Sequence, residues 1–340
     1  MIYNNIDFHN VAELIPTGHS YLMQRVSSDV MPYLSETART RIAFYGTGVE
    51  LRFVINSGTA ELKFYIDEER FEGLFSNRRP TVNVFYGEFQ AGYKTPDIVL
   101  VPGMNTVTLS IPEELDELKR LYEMSGKKGF DPSVVRLIMP QSLVEFVSVS
   151  GDISAPDKSL YPDKTILFYG SSITNGADAL SVPATFAFRT AKQLGCDYLN
   201  LGFSGNAKIE PQMAQFIAAR NDYDYICVEF GANVYEYSKD KFYDHVRDFL
   251  DIIEKAGKPI FCTDVFACVS DFFGYSDKSD EMRASVKELC SGRPLIHHKP
   301  GLEMLPMVHG YLDSDGVHPS VEGSEVLTHN YVAALQEIIG

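Results

Sequence analysis

Residues 165–176 read TILFYGSSITNG, a short apolar run that passes directly into a turn of glycine and serine. A run of this length followed by a turn signal indicates a buried strand. Three more strand candidates follow: Asp197–Leu201, Tyr225–Phe230 and Pro259–Asp264. Segments with helical periodicity separate or follow them: Ala184–Leu194, Pro211–Arg220, Lys239–Ala256, Ser279–Leu289 and Pro319–Ile339. Strands that alternate with helices predict a parallel sheet, so residues 165–340 are expected to form a flavodoxin-like three-layer α/β/α domain.

The preceding part of the chain has the pattern of an antiparallel sheet. Short β-rich runs, several with every second residue apolar, are broken by Gly, Pro, Asn or Asp; they are Arg41–Tyr45, Glu50–Ile55, Ala60–Ile66, Thr81–Tyr86, Ile98–Val101, Thr106–Ile111 and Leu143–Val149. Residues 1–150 are therefore expected to form an all-β, jelly-roll-like sandwich with one inserted helix at Pro112–Ser125. Residues 151–164, rich in Gly, Pro, Asp and Ser, are expected to be a linker.

Composition excludes several classes of function. The 340 residues include 46 acidic and 30 basic ones, a formal net charge of −16 that would repel a nucleic-acid backbone. The sequence contains no run of about 18 apolar residues, so no membrane span is predicted. The first residues lack the features of a signal peptide. The five cysteines include no C-x-x-C pair. We therefore expect a cytoplasmic protein with reduced thiols and with no membrane or nucleic-acid partner. The sequence leaves its oligomeric state open.

Polar residues with chemical potential follow three of the predicted strands. In a parallel sheet these positions share one edge, where ligands bind. Gly170, Ser171 and Ser172 form a strand-to-helix turn that exposes a hydroxyl near free amide N–H groups, although a plain helix-capping turn would have the same residues. Gly202 follows the second strand and Asn233 the third, where a backbone N–H and a side-chain amide could donate hydrogen bonds to an oxyanion.

A histidine near the C-terminus completes the set. His318 is predicted to lie at a helix entrance, with Pro319 as the first helical residue, and Asp315 three residues earlier can accept a hydrogen bond from Nδ1. Asp313 competes for the same role. His297 and His298 are adjacent, and neighbouring residues on a strand point to opposite faces, which argues against a metal site built on both.

Taken together, these residues resemble the motifs of the SGNH hydrolases, also called the GDSL esterase/lipase family. Residues 170–176, GSSITNG, match the first block with Ser172 as the nucleophile. Gly202 and Asn233 match the second and third blocks, and residues 315–319, DGVHP, match the block that contains the acid and the base. Two positions depart from the pattern: Ser171 replaces the Asp of the G-D-S motif, and Val234 replaces the acidic residue that often follows the Asn.

The resemblance implies a catalytic triad of Ser172, Asp315 and His318. It also implies an oxyanion hole formed by the Ser172 and Gly202 N–H groups and the Asn233 side chain, with no metal or organic cofactor. The N-terminal sandwich makes the chain similar to the two-domain branch that includes family 2 carbohydrate acetylesterases and a related acyltransferase. The implied activity is that of a serine esterase acting on a short-chain acyl ester, with an O-acetylated carbohydrate as the expected substrate. An acyltransferase and a non-catalytic carbohydrate-binding protein are the alternatives.

Overall fold

The chain forms two β-sheets in a computed structural model that describes residues 1–69, 80–92, 97–177 and 179–339. The first sheet is antiparallel and its strands precede residue 155: β1 (Ile2–Tyr3), β2 (Ile6–His9), β3 (Glu13–Pro16), β4 (Tyr21–Gln24), β5 (Glu50–Ile66), β6 (Thr81–Tyr86), β7 (Phe89–Gln90), β8 (Ile98–Val99), β9 (Gly103–Ser110), β10 (Val134–Ile138) and β11 (Glu145–Ser154). Strand β5 is the centre of this sheet, because it pairs with β2, β9, β10 and β11.

Several predictions for this half are wrong in detail. Residues 41–45 do not form a strand: Ile42–Phe44 is a 3-10 turn that continues from the short helix α1 (Glu36–Thr40), whose first turn is capped by the Ser35 hydroxyl. The two runs predicted at 50–55 and 60–66 form a single strand, β5. Strand β11 continues to Ser154, inside the predicted linker, because it pairs with β5 there. The inserted helix is present as α2 (Leu115–Met124).

The second sheet is parallel, as predicted, and has the order β13-β12-β14-β15-β16. Its strands are β12 (Thr165–Gly170), β13 (Asp197–Gly202), β14 (Tyr225–Glu229), β15 (Ile260–Thr263) and β16 (Ile296–Lys299). The helices of this half are α3 (Ser172–Asn175), α4 (Phe186–Leu194), α5 (Pro211–Ala219), α6 (Lys239–Ile253), α7 (Val269–Phe272), α8 (Asp277–Cys290), α9 (Gly301–Met304) and α10 (Val321–Ile339). No helix in the described ranges is both long and apolar enough to cross a lipid bilayer.

Helices cover both faces of the parallel sheet. Alternate residues of β12 point to opposite sides: Ile166 and Phe168 pack in a core with residues of α4 and α10, whereas Leu167 and Tyr169 pack in another with residues of α5 and α6. Strands buried on both faces are mostly apolar, and this explains the uninterrupted apolar run at 166–169. The three-layer arrangement places the carboxyl ends of β12, β13 and β14 side by side.

A buried ion network joins the two sheets. Arg52 of β5 donates two hydrogen bonds to Asp197 of β13, at 2.6 and 2.7 Å, and a third to Glu50 at 2.8 Å. Arg136 also binds Glu50, with both of its contacts at 2.8 Å. Burial opposes the ionisation of Glu50, but Arg136 and Arg52 outweigh it and lower the pKa of that carboxyl. Because each buried charge has a partner of opposite sign, this contact favours one arrangement of the two sheets.

Candidate active site

The turn after β12 is shaped by glycine and serine. Ser171 is the N-cap of α3, and its hydroxyl accepts a hydrogen bond from the N–H of Ile173 at 3.2 Å. Ser172 is therefore the first residue of the helix, and its backbone N–H has no partner within the described residues. The helix ends after one turn at Gly176, which has φ +90°. This geometry presents the Ser172 side chain at the carboxyl end of the sheet, next to a free amide donor.

Ser172, His318 and Asp315 form a continuous hydrogen-bonded chain. The Ser172 Oγ lies 2.7 Å from His318 Nε2, and His318 Nδ1 lies 2.5 Å from Asp315 Oδ2. The other oxygen of Asp315 accepts hydrogen bonds from the N–H groups of Val317 at 2.9 Å and His318 at 3.0 Å. Burial acts to raise the pKa of Asp315, but the hydrogen bonds from His318 and Val317 outweigh it and lower that pKa. The carboxylate therefore remains ionised beside the imidazole.

His318 lies in the loop before α10, and Pro319 belongs to this loop and not to the helix. Helix α10 begins at Val321, later than predicted, because the Ser320 hydroxyl accepts from the N–H of Gly323 at 3.1 Å and caps it. Asp313 lies in the same loop but contacts His318 through the backbone, where its N–H donates to the His318 carbonyl at 2.8 Å. Its carboxylate accepts a hydrogen bond from the Ser314 N–H. The carboxylate placed against the ring nitrogen is that of Asp315.

The Asn233 side chain has a defined orientation. Its Oδ1 accepts a hydrogen bond from the N–H of Ala207 at 3.1 Å, and this partner assigns the amide oxygen to that side. The Nδ2 group, with its two N–H donors, consequently points away from Ala207. The backbone is held as well, since Lys208 Nζ donates to the Asn233 carbonyl at 2.5 Å. Asn233 is thus arranged as a hydrogen-bond donor at the end of β14.

Gly202 does not offer the free donor that the sequence predicts. Its N–H donates to Asn200 Oδ1 at 2.8 Å in a buried environment, and an added Cβ would collide with the Asn175 backbone. Gly202 is therefore required for close packing of β13 against α3, and its N–H is already used. Gly205, three residues further on, is exposed at φ +68°, and within the described residues its N–H has no partner. The sequence feature that could have indicated this donor is that Gly205 is a second glycine shortly after Gly202.

A buried carboxylate that the sequence analysis did not identify lies beneath the turn. Glu229, the last residue of β14, is 4% exposed, and its Oε2 accepts from the Ser171 N–H at 2.9 Å and the Ser171 hydroxyl at 2.8 Å. The Thr174 hydroxyl donates to the same oxygen at 3.1 Å. Ser171, which stands where the G-D-S motif has an acid, is thus hydrogen-bonded to a carboxylate from another strand.

Residues of the N-terminal half contact the loops of the site. Ser35 Oγ donates to Asn206 Oδ1 at 2.5 Å, and Gln141 Nε2 donates to Asn175 Oδ1 at 2.7 Å. Arg25 is fully buried and donates to the carbonyls of Asn200 and Gly202 at 2.9 and 3.1 Å, with its guanidinium 5.0 Å from the centre of the Phe203 ring. Burial lowers the pKa of Arg25 to about 9. These contacts hold the loop that carries Gly205 and Ala207.

The remaining candidates have structural surroundings. His298 Nε2 lies 2.8 Å from Asp264 Oδ2, whereas the adjacent His297 is exposed, so the two imidazoles do not share a face. Cys227 and Cys262 are buried in strands, and burial raises the pKa of both thiols well above the usual range. Neutral thiols of this kind are poor nucleophiles.

Comparison with a protein-family model gives the first assignment. Residues 163–300 match the model of the GDSL-like lipase/acylhydrolase family. This segment is therefore similar to that family, and the match covers less than half of the chain. The match includes Ser172 and Asn233 but ends before Asp315 and His318. These two residues lie close to Ser172 in the folded chain, where His318 contacts it directly. No curated protein matches the chain in sequence.

Solved structures resemble this chain over nearly its whole length. A salicylyl-acyltransferase from a tetracycline biosynthetic pathway, SsfX3, has a TM-score of 0.79 at 15% identity. A proposed GDSL-like lipase from Bacteroides ovatus has a TM-score of 0.69 at 16% identity, and a family two carbohydrate esterase from Cellvibrio japonicus has 0.59 at 14%. In each case the alignment covers 98% of this chain and 95% of the other. At these identities the likeness shows a shared fold that includes both sheets.

Proposed function

We propose that this protein is a serine esterase that hydrolyses a short-chain acyl ester, an O-acetylated carbohydrate in the first instance, through an acyl-enzyme. The observation that carries the proposal is the contact of Ser172 Oγ with His318 Nε2, at 2.7 Å, while His318 Nδ1 contacts Asp315. A hydroxyl paired with an oriented imidazole is the arrangement of an activated nucleophile. A non-catalytic carbohydrate-binding protein would have no need for it.

The reaction uses these groups in two stages. Ser172 Oγ attacks the ester carbonyl while His318 Nε2 takes its proton; the C–O bond to the alcohol then breaks and His318 returns the proton to the departing oxygen. Water attacks the acyl-enzyme in the second stage with the same base, releasing the carboxylic acid and restoring Ser172. Asp315 holds the imidazole in the required tautomer throughout.

The negative charge that develops on the carbonyl oxygen needs donors that are already in place. The free N–H of Ser172 and the Nδ2 group of Asn233 fit this role. We assign the third donor to Gly205 in place of Gly202, since the Gly202 N–H is bound to Asn200 and the Gly205 N–H has no partner among the described residues. Ser204 supports this placement, because its hydroxyl donates to Asn175 at 2.9 Å and so brings the turn against α3.

An acyltransferase is the second candidate. The full-length likeness to a salicylyl-acyltransferase favours it, and the same acyl-enzyme would serve if an alcohol or amine replaced water as the acceptor. The two activities differ in the partition of one intermediate. Added acceptor alcohols would therefore divert the acyl group to a new ester in a transferase, at the expense of free acid.

The test is a panel of p-nitrophenyl esters from acetyl to longer acyl chains, followed by acetylated sugars, with the Ser172→Ala variant as the control. We expect the highest kcat/KM with acetyl and other short acyl groups, and release of acetate from at least one sugar. Wild-type protein that hydrolyses none of the esters and is not labelled by a serine-directed fluorophosphonate would contradict the proposal and favour a binding protein.

We also propose that residues 1–150 and 165–340 are two domains that act as a single unit. The contacts of Arg25, Ser35 and Gln141 with the loops of the parallel sheet support this. The N-terminal domain then helps to form the site, because the loop that it holds includes Ala207, the residue that orients Asn233.

Loss of the Ser35 hydroxyl should weaken the site from the N-terminal side. In Ser35→Ala the contact with Asn206 disappears, and we expect kcat for p-nitrophenyl acetate to fall roughly 3-fold to 10-fold, since loops that position catalytic donors tolerate little displacement. Thr40→Ala is the matched control, because this hydroxyl belongs to the same short helix and, among the described residues, bonds within it to the Glu36 carbonyl. Equal kcat values for the two variants would argue against a catalytic role for the N-terminal domain.

A further inference from the structure

Glu229 occupies a space that is open because residue 170 is a glycine. A Cβ added to Gly170 would lie 2.6 Å from Glu229 Oε2 and 2.4 Å from Thr174 Oγ1. Any larger residue at the end of β12 would therefore displace the carboxylate from the turn. The three donors around Oε2, one N–H and two hydroxyls, come from Ser171 and Thr174, which lie on either side of Ser172 in the sequence. Glu229 thus binds the turn that carries Ser172 through three hydrogen bonds.

The hydrogen bonds of Glu229 are made in a buried setting. Glu229 is 4% exposed, and burial raises the pKa of its carboxyl, while the hydrogen bonds from Ser171 and Thr174 act in the opposite direction. A buried polar group that loses a hydrogen-bond partner is costly, so the contacts of Glu229 with the turn hold both elements in one arrangement.

We propose that Glu229 is a positioning residue that fixes the turn carrying the nucleophile Ser172 through its hydrogen bonds with Ser171 and Thr174. This inference rests on the proposed serine-esterase function. Asp315 then orients the imidazole of His318, while Glu229 holds the turn that presents Ser172 to it. It also accounts for the serine at position 171: the acid comes from the end of β14 instead of from the turn itself.

Replacement of Glu229 by Gln tests this assignment, because Gln keeps the shape and one acceptor oxygen but removes the charge. For Glu229→Gln we expect kcat for p-nitrophenyl acetate to fall on the order of 10-fold to 100-fold with little change in KM.

Glu145→Gln is the matched control. Glu145 is also 4% exposed and accepts hydrogen bonds from a Thr and a Ser hydroxyl, those of Thr17 and Ser20, but it lies in the antiparallel sheet. It should leave kcat and KM as in wild type, whatever it does to thermal stability. Equal behaviour of the two Gln variants would overturn the proposal for Glu229.

Thr174→Val keeps the inference testable if Glu229→Gln does not fold. This near-isosteric change removes one donor to the carboxylate, and we expect kcat about 3-fold to 10-fold lower with KM unchanged. A wild-type kcat in Thr174→Val would then reject the assignment. Failure of the esterase proposal itself would be seen separately, as absence of ester hydrolysis and of fluorophosphonate labelling in the wild-type protein.

Discussion

Ser172→Ala should leave a folded protein whose esterase activity is close to background. The variant removes the oxygen that lies 2.7 Å from His318 Nε2. Loss of a serine nucleophile in a triad lowers kcat by roughly 10⁴-fold to 10⁶-fold, because the remaining catalysis comes from the oxyanion donors and from binding alone. Hydrolysis of p-nitrophenyl acetate and thermal unfolding, measured together, separate loss of chemistry from loss of structure.

Ser171→Ala is the neighbouring comparison. The Ser171 hydroxyl faces Glu229 and caps α3, so its loss should cost about 0.5 to 2 kcal/mol of stability through the cap and leave measurable turnover. A fluorophosphonate should label Ser172 in the wild type and in Ser171→Ala. Labelling of Ser171, found by mass spectrometry of the modified peptide, would move the nucleophile by one residue.

The parallel sheet could be predicted because its strands are buried on both faces. Such strands are short apolar runs with turns at each end, and β12 to β15 were predicted to within about two residues of their observed ends. The antiparallel sheet was harder. Residues 1–24 form four strands of only two to four residues each, too short for a pattern to stand out, and β10 contains the buried Arg136, whose charge is compensated by Glu50 of β5. A pattern of polarity does not identify a partner on another strand.

The candidate site divides in the same way. Asp315 and His318 are three residues apart, so their contact follows from local geometry, and the turn after β12 identifies Ser172. The contacts made by Glu229 join β14 to β12, and that of Ser35 joins the two halves of the chain. The choice between Gly202 and Gly205 depended on whether Asn200 folds back onto the nearer N–H. Contacts between distant segments, or contacts that depend on the conformation of one side chain, produce no recognisable spacing of residues in the sequence.

The acid and the base should differ in the size of their effects. His318→Ala removes the proton acceptor and should reduce kcat about as much as Ser172→Ala, since the two act as a unit. Asp315→Asn keeps the shape but replaces an acceptor with a group that can donate to Nδ1, so the imidazole can adopt the wrong tautomer. We expect kcat to fall about 10²-fold to 10⁴-fold with KM nearly unchanged. The loss is smaller than for His318 because the Asp315 side chain is 45% exposed and water screens its charge.

Asp313→Asn provides the control for this assignment. The Asp313 contact with His318 is made by the backbone N–H, which the substitution keeps, and its side chain accepts from Ser314. Kinetics of the three variants at one pH should therefore rank Asp313→Asn near wild type, Asp315→Asn far below it, and His318→Ala lowest. A large kcat defect in Asp313→Asn beside a near-normal Asp315→Asn would transfer the acid to Asp313. That result would require the loop to rearrange in solution, because the 2.5 Å contact with Nδ1 is made by Asp315.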